Sequence, residues 1–394
     1  MQDQARTSSA SLALPQMQAD FIIIGAGIAG ASIAYWLAPH ASVIVLERES
    51  QPGYHSTGRS AALYMESYGP PQVRALTCAS RRFFDHPPSG FSEHPLLTPR
   101  GALFVARPDQ MAELDAHEAI VRSVSDKVQR LSAADACARV PVLRPEQVGG
   151  AVYEEDAADI DVHALHQGFL RGARAAGARI VCDASVLAMH YVDGCWQVST
   201  AQAGFSAPVV INAGGAWADM IGQLAGARPI GLVPKRRSAF TFAVDAGADV
   251  LTHDSAAWPM FMSVDESFYV KPDAGLLLGS PANADPVAPH DVQAEELDIA
   301  IAIDHIQNAT TLQIRRPSHV WAGLRSFVDD GSFVGGFDGA VQGFFWAAGQ
   351  GGYGIQTAPA AGETYAALAR GLPVPEQIAG FGVNAKALSR DRSR

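Results

Sequence analysis

The chain has 394 residues, of which 48% are hydrophobic and 18% charged, and a formal net charge of −11. This is enough apolar material for more than one domain and too little charge for a disordered chain. The acidic balance repels phosphate backbones and anionic lipid, which argues against a nucleic-acid partner and against electrostatic docking on a membrane.

No run of about 18 apolar residues exists to span a membrane. Cys78, Cys137, Cys182 and Cys195 are scattered without metal-ligand spacing. They read as reduced, partly buried thiols of a cytoplasmic protein, and no metal site is expected.

Met1 to Gln18 is rich in Ser, Ala and Gln and lacks a basic segment followed by an apolar one. It reads as a disordered extension rather than a signal peptide. Phe21-Ile22-Ile23-Ile24 is a fully apolar, β-branched run, the mark of a buried parallel strand. Gly25-Ala26-Gly27-Ile28-Ala29-Gly30 follows at once, then helical composition over residues 31–38, then a second strand, Ser42–Leu46, ending in Glu47.

Each part has a physical reason. Gly25 permits the tight turn, Gly27 lets a pyrophosphate approach the backbone, and Gly30 lets the helix pack on the strand. The helix start offers free N–H groups and a positive dipole to phosphate. Glu47 stands seventeen residues beyond Gly30, near the ~20 expected for an acid that binds ribose hydroxyls. The unit reads as a Rossmann-type dinucleotide site.

Farther along, residues 53–62 are small and polar. Asp161 is placed to cap a helix that ends at Gly177, and a strand starts near Ala178 and leads to Val186. Val209–Asn212 is a strand running into Ala213, Gly214 and Trp217. Phe344–Ala348 is a strand feeding a second glycine loop, Gly349 to Gly354, and a helix over 355–370. Between these lie alternating strands such as Ser238–Phe242, and a hairpin from 268–271 to 276–278 that turns at residues 272–275. The expected fold is α/β (α+β overall). A discontinuous cofactor domain spans 19–85, 150–224 and 326–380. A mainly antiparallel substrate domain spans 86–149 and 225–325, and 381–394 form a tail.

Several stretches carry a more specific resemblance: QPGYHSTGRSAA, ADIDVHALHQGFLRG, PKRRSAF, DESFYVKPDAG, GSPANADPV, WAGLRSF and QGGYGIQT. Through them the chain resembles the D-amino-acid-oxidase-like flavoproteins, and among these the bacterial FAD-dependent D-arginine dehydrogenases. The resemblance implies noncovalent FAD. It would be held by Gly25, Gly27, Ala29, Gly30, Glu47 and Arg48, and by Ser56, Thr57, Gly58, Arg59, Ser60, Ala61 and Ala62. Val186, Ala213, Gly214 and Trp217 would follow, then Gly351, Gly352, Tyr353, Gly354, Ile355 and Gln356.

It also implies that Arg237, Arg325 and Tyr269 hold a substrate carboxylate, that Tyr68 sits on a lid loop, and that Gly352 and Gln356 lie where cofactor and substrate meet. Guanidinium forks suit a carboxylate. Read without the family, the lesser alternatives are that Arg236–Arg237 is a surface basic pair, Arg325 a structural ion-pair residue, Tyr269 a core residue and Tyr68 loop packing.

The chain departs from the arginine-selective pattern at three positions. Leu63 and Met65 replace a histidine and a threonine, and Ala102 replaces the glutamate that meets the substrate guanidinium. The resemblance therefore implies a D-amino acid dehydrogenase that favours apolar side chains and yields imino acids, which hydrolyse to 2-oxo acids and ammonia. A glycine- or sarcosine-type or D-amino acid oxidase using oxygen, and a non-catalytic flavin-binding subunit, stay open. So do the electron acceptor (oxygen, a quinone or a carrier) and a peripheral location at the inner membrane.

Overall fold

The computed structural model describes residues 16–243 and 255–392. Most of the expected N-terminal extension, residues 1–15, lies outside the described residues, as do 244–254 of the substrate domain and the last two of the tail. Gln16–Gln18 belongs to no disordered extension. It is a strand that pairs in parallel with Gly204–Ser206.

The core is a six-stranded sheet in the order Arg179–Val181, Val43–Leu46, Phe21–Ile24, Val209–Asn212, Phe344–Ala348 and Val334–Phe337. All pairs are parallel except the last. The uniformly apolar strands follow from burial on both faces. Ile23, Val45, Ile211 and Phe345 point to the helices Ile28–Leu37 and Gly354–Ala369. Ile22, Ile44, Val210 and Phe344 point the other way, to Trp196 and Phe205 of a four-stranded sheet. That small sheet, strands 16–18, 188–192, 195–199 and 204–207, had no counterpart in the sequence reading.

The second layer is a nine-stranded sheet, antiparallel apart from the pairing of Met260–Ser263 with Ala102–Ala106. Two domain borders shift. Gly150–Glu154 pairs with Ala102–Ala106 and so belongs to this sheet, and His319–Phe327 stays in it to Phe327. The hairpin turn is tighter than expected. Pro272 and Asp273 are still paired, and Ala274-Gly275 turn with φ of +48° and +83°, the geometry of a two-residue hairpin. The expected tail is docked. Arg390 reaches Asp338, and Arg392 binds Asp330 at 2.7 and 2.8 Å.

Candidate active site

A cavity of about 530 Å³ lies between the C-terminal ends of the parallel strands and the inner face of the nine-stranded sheet. This is the edge where open α/β sheets bind ligands. Its first end is built from the glycine turn. Gly25 has φ +104°, and a Cβ on Gly30 would stand 1.9 Å from the Gly25 carbonyl oxygen. Gly30 therefore packs the helix and does not line the cavity, whereas Gly25, Gly27 and Ala29 do.

Glu47 is buried and holds the turn, accepting from Ala26 N at 2.9 Å and Glu49 N at 3.0 Å. Thr57 Oγ1 accepts from Ile28 N at 3.0 Å. From beneath, His166 Nε2 donates to the Ala26 carbonyl at 2.9 Å. Burial depresses the pKa of His166 and keeps it neutral. Arg48 lies 4.6 Å above the Trp217 ring, and His55 is 4.7 Å from the same ring. The three side chains form an aromatic and cationic wall at this end of the cavity.

At the other end the loop at 349–352 enters the helix Gly354–Ala369, and Gly351, Gly352, Gly354 and Ile355 line the cavity. The opposing wall comes from two paired strands, Val233–Phe242 and His319–Phe327, with Arg237 opposite Gly323. Side chains alternate along a strand. Arg236 turns outward onto Asp298, Nε–Oδ2 2.8 Å, while Arg237 and Ala239 turn inward with Gly323 and Arg325. The neighbouring arginines thus have separate roles, one as a structural ion pair and one in the cavity.

These features fit FAD. They comprise an aromatic and cationic wall, a buried acid behind the turn, a glycine turn at a helix start, and a second helix start against the Arg325 guanidinium. A family model for FAD dependent oxidoreductases, the DAO family, matches residues 20–368. The chain belongs to this family. Its cofactor is FAD.

The chain is 27% identical over 250 residues to the mouse FAD-dependent oxidoreductase domain-containing protein 1, covering 54% of this chain and 50% of the mouse protein. It thus spans about half the length of that relative. Glycine oxidase from Geobacillus kaustophilus superposes with a TM-score of 0.81 at 20% identity, covering 96% of this chain and 100% of that one. L-α-glycerophosphate oxidase from Mycoplasma pneumoniae gives 0.78 at 18% identity, covering 90% and 95%. The fold is shared by enzymes named for an amine and for an alcohol, so substrate must be argued from the site.

In this DAO-family protein two arginines line the cavity beside the second glycine loop. Arg237 and Arg325 face the cavity, and neither makes an ion pair among the described residues. Arg237 Nε donates to the Asn283 carbonyl at 2.6 Å, and Arg325 Nη1 to Tyr68 Oη at 3.4 Å. Burial, then the charge of Arg325, lowers Arg237 to about 10. Burial acts in the same direction on Arg325, but Tyr68 and Tyr269 outweigh it and raise its pKa.

Most of the residues implied by the resemblance meet here. Glu47, Arg48, Ser56, Thr57, Arg59, Ser60, Ala61, Val186, Ala213, Gly214, Trp217 and Tyr269 line the cavity. Two of them are committed elsewhere. Ser56 Oγ donates to the Leu324 carbonyl at 2.6 Å, and Arg59 binds Val292 O and Ala322 O at 2.9 and 3.2 Å, besides Asp291. Their side chains tie the cofactor segment to the opposing sheet. Gly58, Ala62, Tyr353, Gln356 and Tyr68 are not among the lining residues.

Leu63, Met65 and Ala102 do not wall the cavity directly. They are buried in an apolar cluster behind Tyr269 and Ala239. This layer is ordinary apolar core. Trp321, Gly323 and Ala239 line the cavity and were missed. Period-two spacing from Arg325 and Arg237 would have found them. Among the described residues no cluster of three His, Cys, Asp or Glu side chains could hold a metal, and no helix is long and apolar enough to cross a membrane.

Proposed function

We propose that this protein oxidises the Cα–N bond of an amino acid whose carboxylate is held by Arg237 and Arg325, with Tyr269 beside them. The observation that carries this reading is the pair of cavity-facing guanidiniums, neither of which forms an ion pair among the described residues, with Glu266 a carboxylate whose charge reaches Arg237 without a salt bridge to it. Two unneutralised cations in a buried site are costly until an anion arrives. A planar carboxylate matches their forks.

Ala61, Ala239, Tyr269 and Trp321 offer an apolar surface to the substrate side chain. With the carboxylate fixed and the side chain on that surface, the orientation of Cα–H is set. Bound FAD supplies the hydride acceptor. No side-chain base is assigned, because the ammonium proton can leave to solvent on binding, and the imino acid then hydrolyses to a 2-oxo acid and ammonia. The D configuration and the dehydrogenase type rest on the sequence resemblance. A glycine- or sarcosine-type reading is favoured by one observation, the closed apolar layer of Leu63, Met65 and Ala102 behind the lining, which limits room for a large side chain.

The test is anaerobic bleaching of the bound flavin with D- and L-amino acids, glycine, sarcosine, 2-hydroxy acids and glycerophosphate, repeated in air. Bleaching by apolar D-amino acids is the expected result. Bleaching only by 2-hydroxy acids or glycerophosphate sinks the amine reading, and rapid reoxidation in air replaces the dehydrogenase by an oxidase.

A further inference from the structure

The segment that brings Tyr68 to Arg325 is anchored residue by residue. The Gln356 amide binds both peptide groups of Met65, at 3.3 and 3.3 Å, and reaches Thr77 Oγ1 at 2.9 Å. The Glu66 carboxylate accepts from Tyr64 Oη at 2.9 Å. Gly69 O accepts from Arg74 Nη1 at 2.6 Å. Between them, Ser67 points its hydroxyl at Glu154, 2.7 Å and 2.8 Å from the two carboxylate oxygens.

The Ser67–Glu154 contact has no place in the chemistry described so far. Both residues are 6% exposed. Glu154 ends the strand Gly150–Glu154, directly opposite Ala102, beside the apolar cluster of Met65, Phe104 and Met262. His117 places Nε2 3.3 Å from the same carboxylate and stacks on Phe104 with ring centroids 3.8 Å apart. A carboxylate is expensive to bury in such surroundings unless it is hydrogen-bonded. Its short hydrogen bonds go to a residue of the loop, not to its own sheet.

We propose that Ser67 and Glu154 form a latch that fixes Tyr68 against Arg325, the cavity-facing arginine that would hold the substrate carboxylate, so that both are positioning residues for the reaction. This rests on the reading of Arg237 and Arg325 as a carboxylate clamp. Ser67 and Tyr68 are consecutive and engage opposite sides of the loop, one the Glu154 carboxylate and the other Arg325. Holding Ser67 therefore sets the rotation that brings Tyr68 Oη to Arg325 and its ring edge-on to Tyr353, centroids 4.8 Å apart. The hydroxyl is the donor and the carboxylate the acceptor, so an amide oxygen at position 154 can replace the acceptor.

The test uses the FAD-loaded full chain and propionate, a carboxylate that carries no amine, with binding read from the flavin absorbance and KM and kcat measured alongside. Ser67→Ala is expected to raise the propionate Kd and the substrate KM roughly tenfold, with kcat and flavin content close to wild type. Ser67→Thr and Glu154→Gln, which keep donor and acceptor, should stay near wild-type Kd, while Glu154→Leu should follow Ser67→Ala. In a Tyr68→Ala background, Ser67→Ala should add no further loss, because the latch acts through Tyr68. An unchanged Kd in Ser67→Ala, or a loss that adds in full to that of Tyr68→Ala, overturns the latch alone. Wild-type protein that binds no carboxylate overturns the clamp, and the latch with it.

Discussion

Gly352 and Arg325 touch so closely that a Cβ on Gly352 would stand 2.8 Å from Arg325 Nη1 and 3.2 Å from Cζ. Arg325 is held between the helix-start loop and Tyr68, and the absence of a side chain at 352 gives the guanidinium its place. Gly352→Ala should push the guanidinium aside while leaving the fold intact, raising KM about tenfold with FAD retained. Arg325→Met should cost more, roughly 2–5 kcal/mol in kcat/KM, because the substrate carboxylate is left desolvated and half-paired. Near-normal kcat/KM in Arg325→Met would remove this arginine from the site.

Arg237 gives the site a pH limit. Burial, then the neighbouring Arg325 charge, pulls its pKa down to about 10. The cation that binds carboxylate is present below that pH and is lost above it, so affinity should fall as pH rises through this value. A bound carboxylate opposes the loss, which places the break in the free protein. Propionate Kd measured between about pH 8 and 11 should show a rising limb in wild type and none in Arg237→Met. A flat wild-type profile argues that Arg237 stays charged and is not the limiting group.

FAD should be bound noncovalently. No cysteine follows Cys195 in the sequence, and none of the four cysteines lines the cavity. His55 is the histidine that lines the cavity, and it is turned to Trp217 and to Glu49, 2.8 Å away, at the Arg48 end. Acid precipitation should release the yellow colour into the supernatant, and a coloured pellet would count against this.

The parts of the fold that were legible in sequence are those where one local signal suffices. Phe21–Ile24 and Phe344–Ala348 appear with the expected ends because an all-apolar run stops at a glycine. Asp161 caps its helix as its side chain suggests, accepting from Ala164 N at 2.8 Å. The site was legible as a set of residues but not as a layout. Arg236 and Arg237 are indistinguishable in composition, and only strand alternation separates the Asp298 partner from the cavity residue. Ser67, Glu154 and His117 come from three distant segments, and no spacing rule links them. The four-stranded sheet escaped notice because its strands are short and half-polar, although Trp196 and Val198 alternate as buried residues.

The C-terminal segment should contribute stability. Asp338 is nearly fully buried and accepts from Trp346 Nε1 at 2.9 Å and Ala340 N at 2.9 Å, with Arg390 as its cationic partner. Its pKa is lowered by these hydrogen bonds and by Arg390, against the opposing effect of burial. A depressed carboxylate stabilises the fold above its unfolded value and loses that contribution as pH falls. Arg390→Ala strands the charge and should cost about 1–3 kcal/mol near neutral pH. The difference from wild type in thermal unfolding should narrow as pH falls below the ordinary carboxylate value of about 4 toward the depressed value of Asp338 in the fold. Equal Tm values at neutral pH would show that the contact carries nothing.

Side-chain preference is the sharpest remaining test. Beside the two arginines the cavity offers Ala61, Ala239, Tyr269 and Trp321, and no carboxylate among the described residues lines that end. An apolar wall rewards buried hydrocarbon at about 25 cal/mol per Å², and a guanidinium there meets two like charges, while the exposed Glu266, whose charge acts on Arg237, stands outside the lining. If that penalty reaches only ~3 kcal/mol, D-leucine, D-methionine or D-phenylalanine should exceed D-arginine and D-lysine by more than about a hundredfold in kcat/KM. Glu66 is no substitute anion, since it is turned toward Tyr64. Ala102→Glu is no useful control either, because Ala102 is fully buried directly opposite Glu154 and two facing carboxylates would destabilise the sheet. Ala239→Leu is the better companion. Ala239 lies two residues beyond Arg237 on the same strand face and opposite Trp321. Filling that space should lower kcat/KM for D-phenylalanine at least about tenfold relative to D-alanine. D-arginine equal to or better than D-leucine in wild type would sink the apolar-pocket reading, and an unchanged phenylalanine-to-alanine ratio in Ala239→Leu would move the side-chain pocket elsewhere.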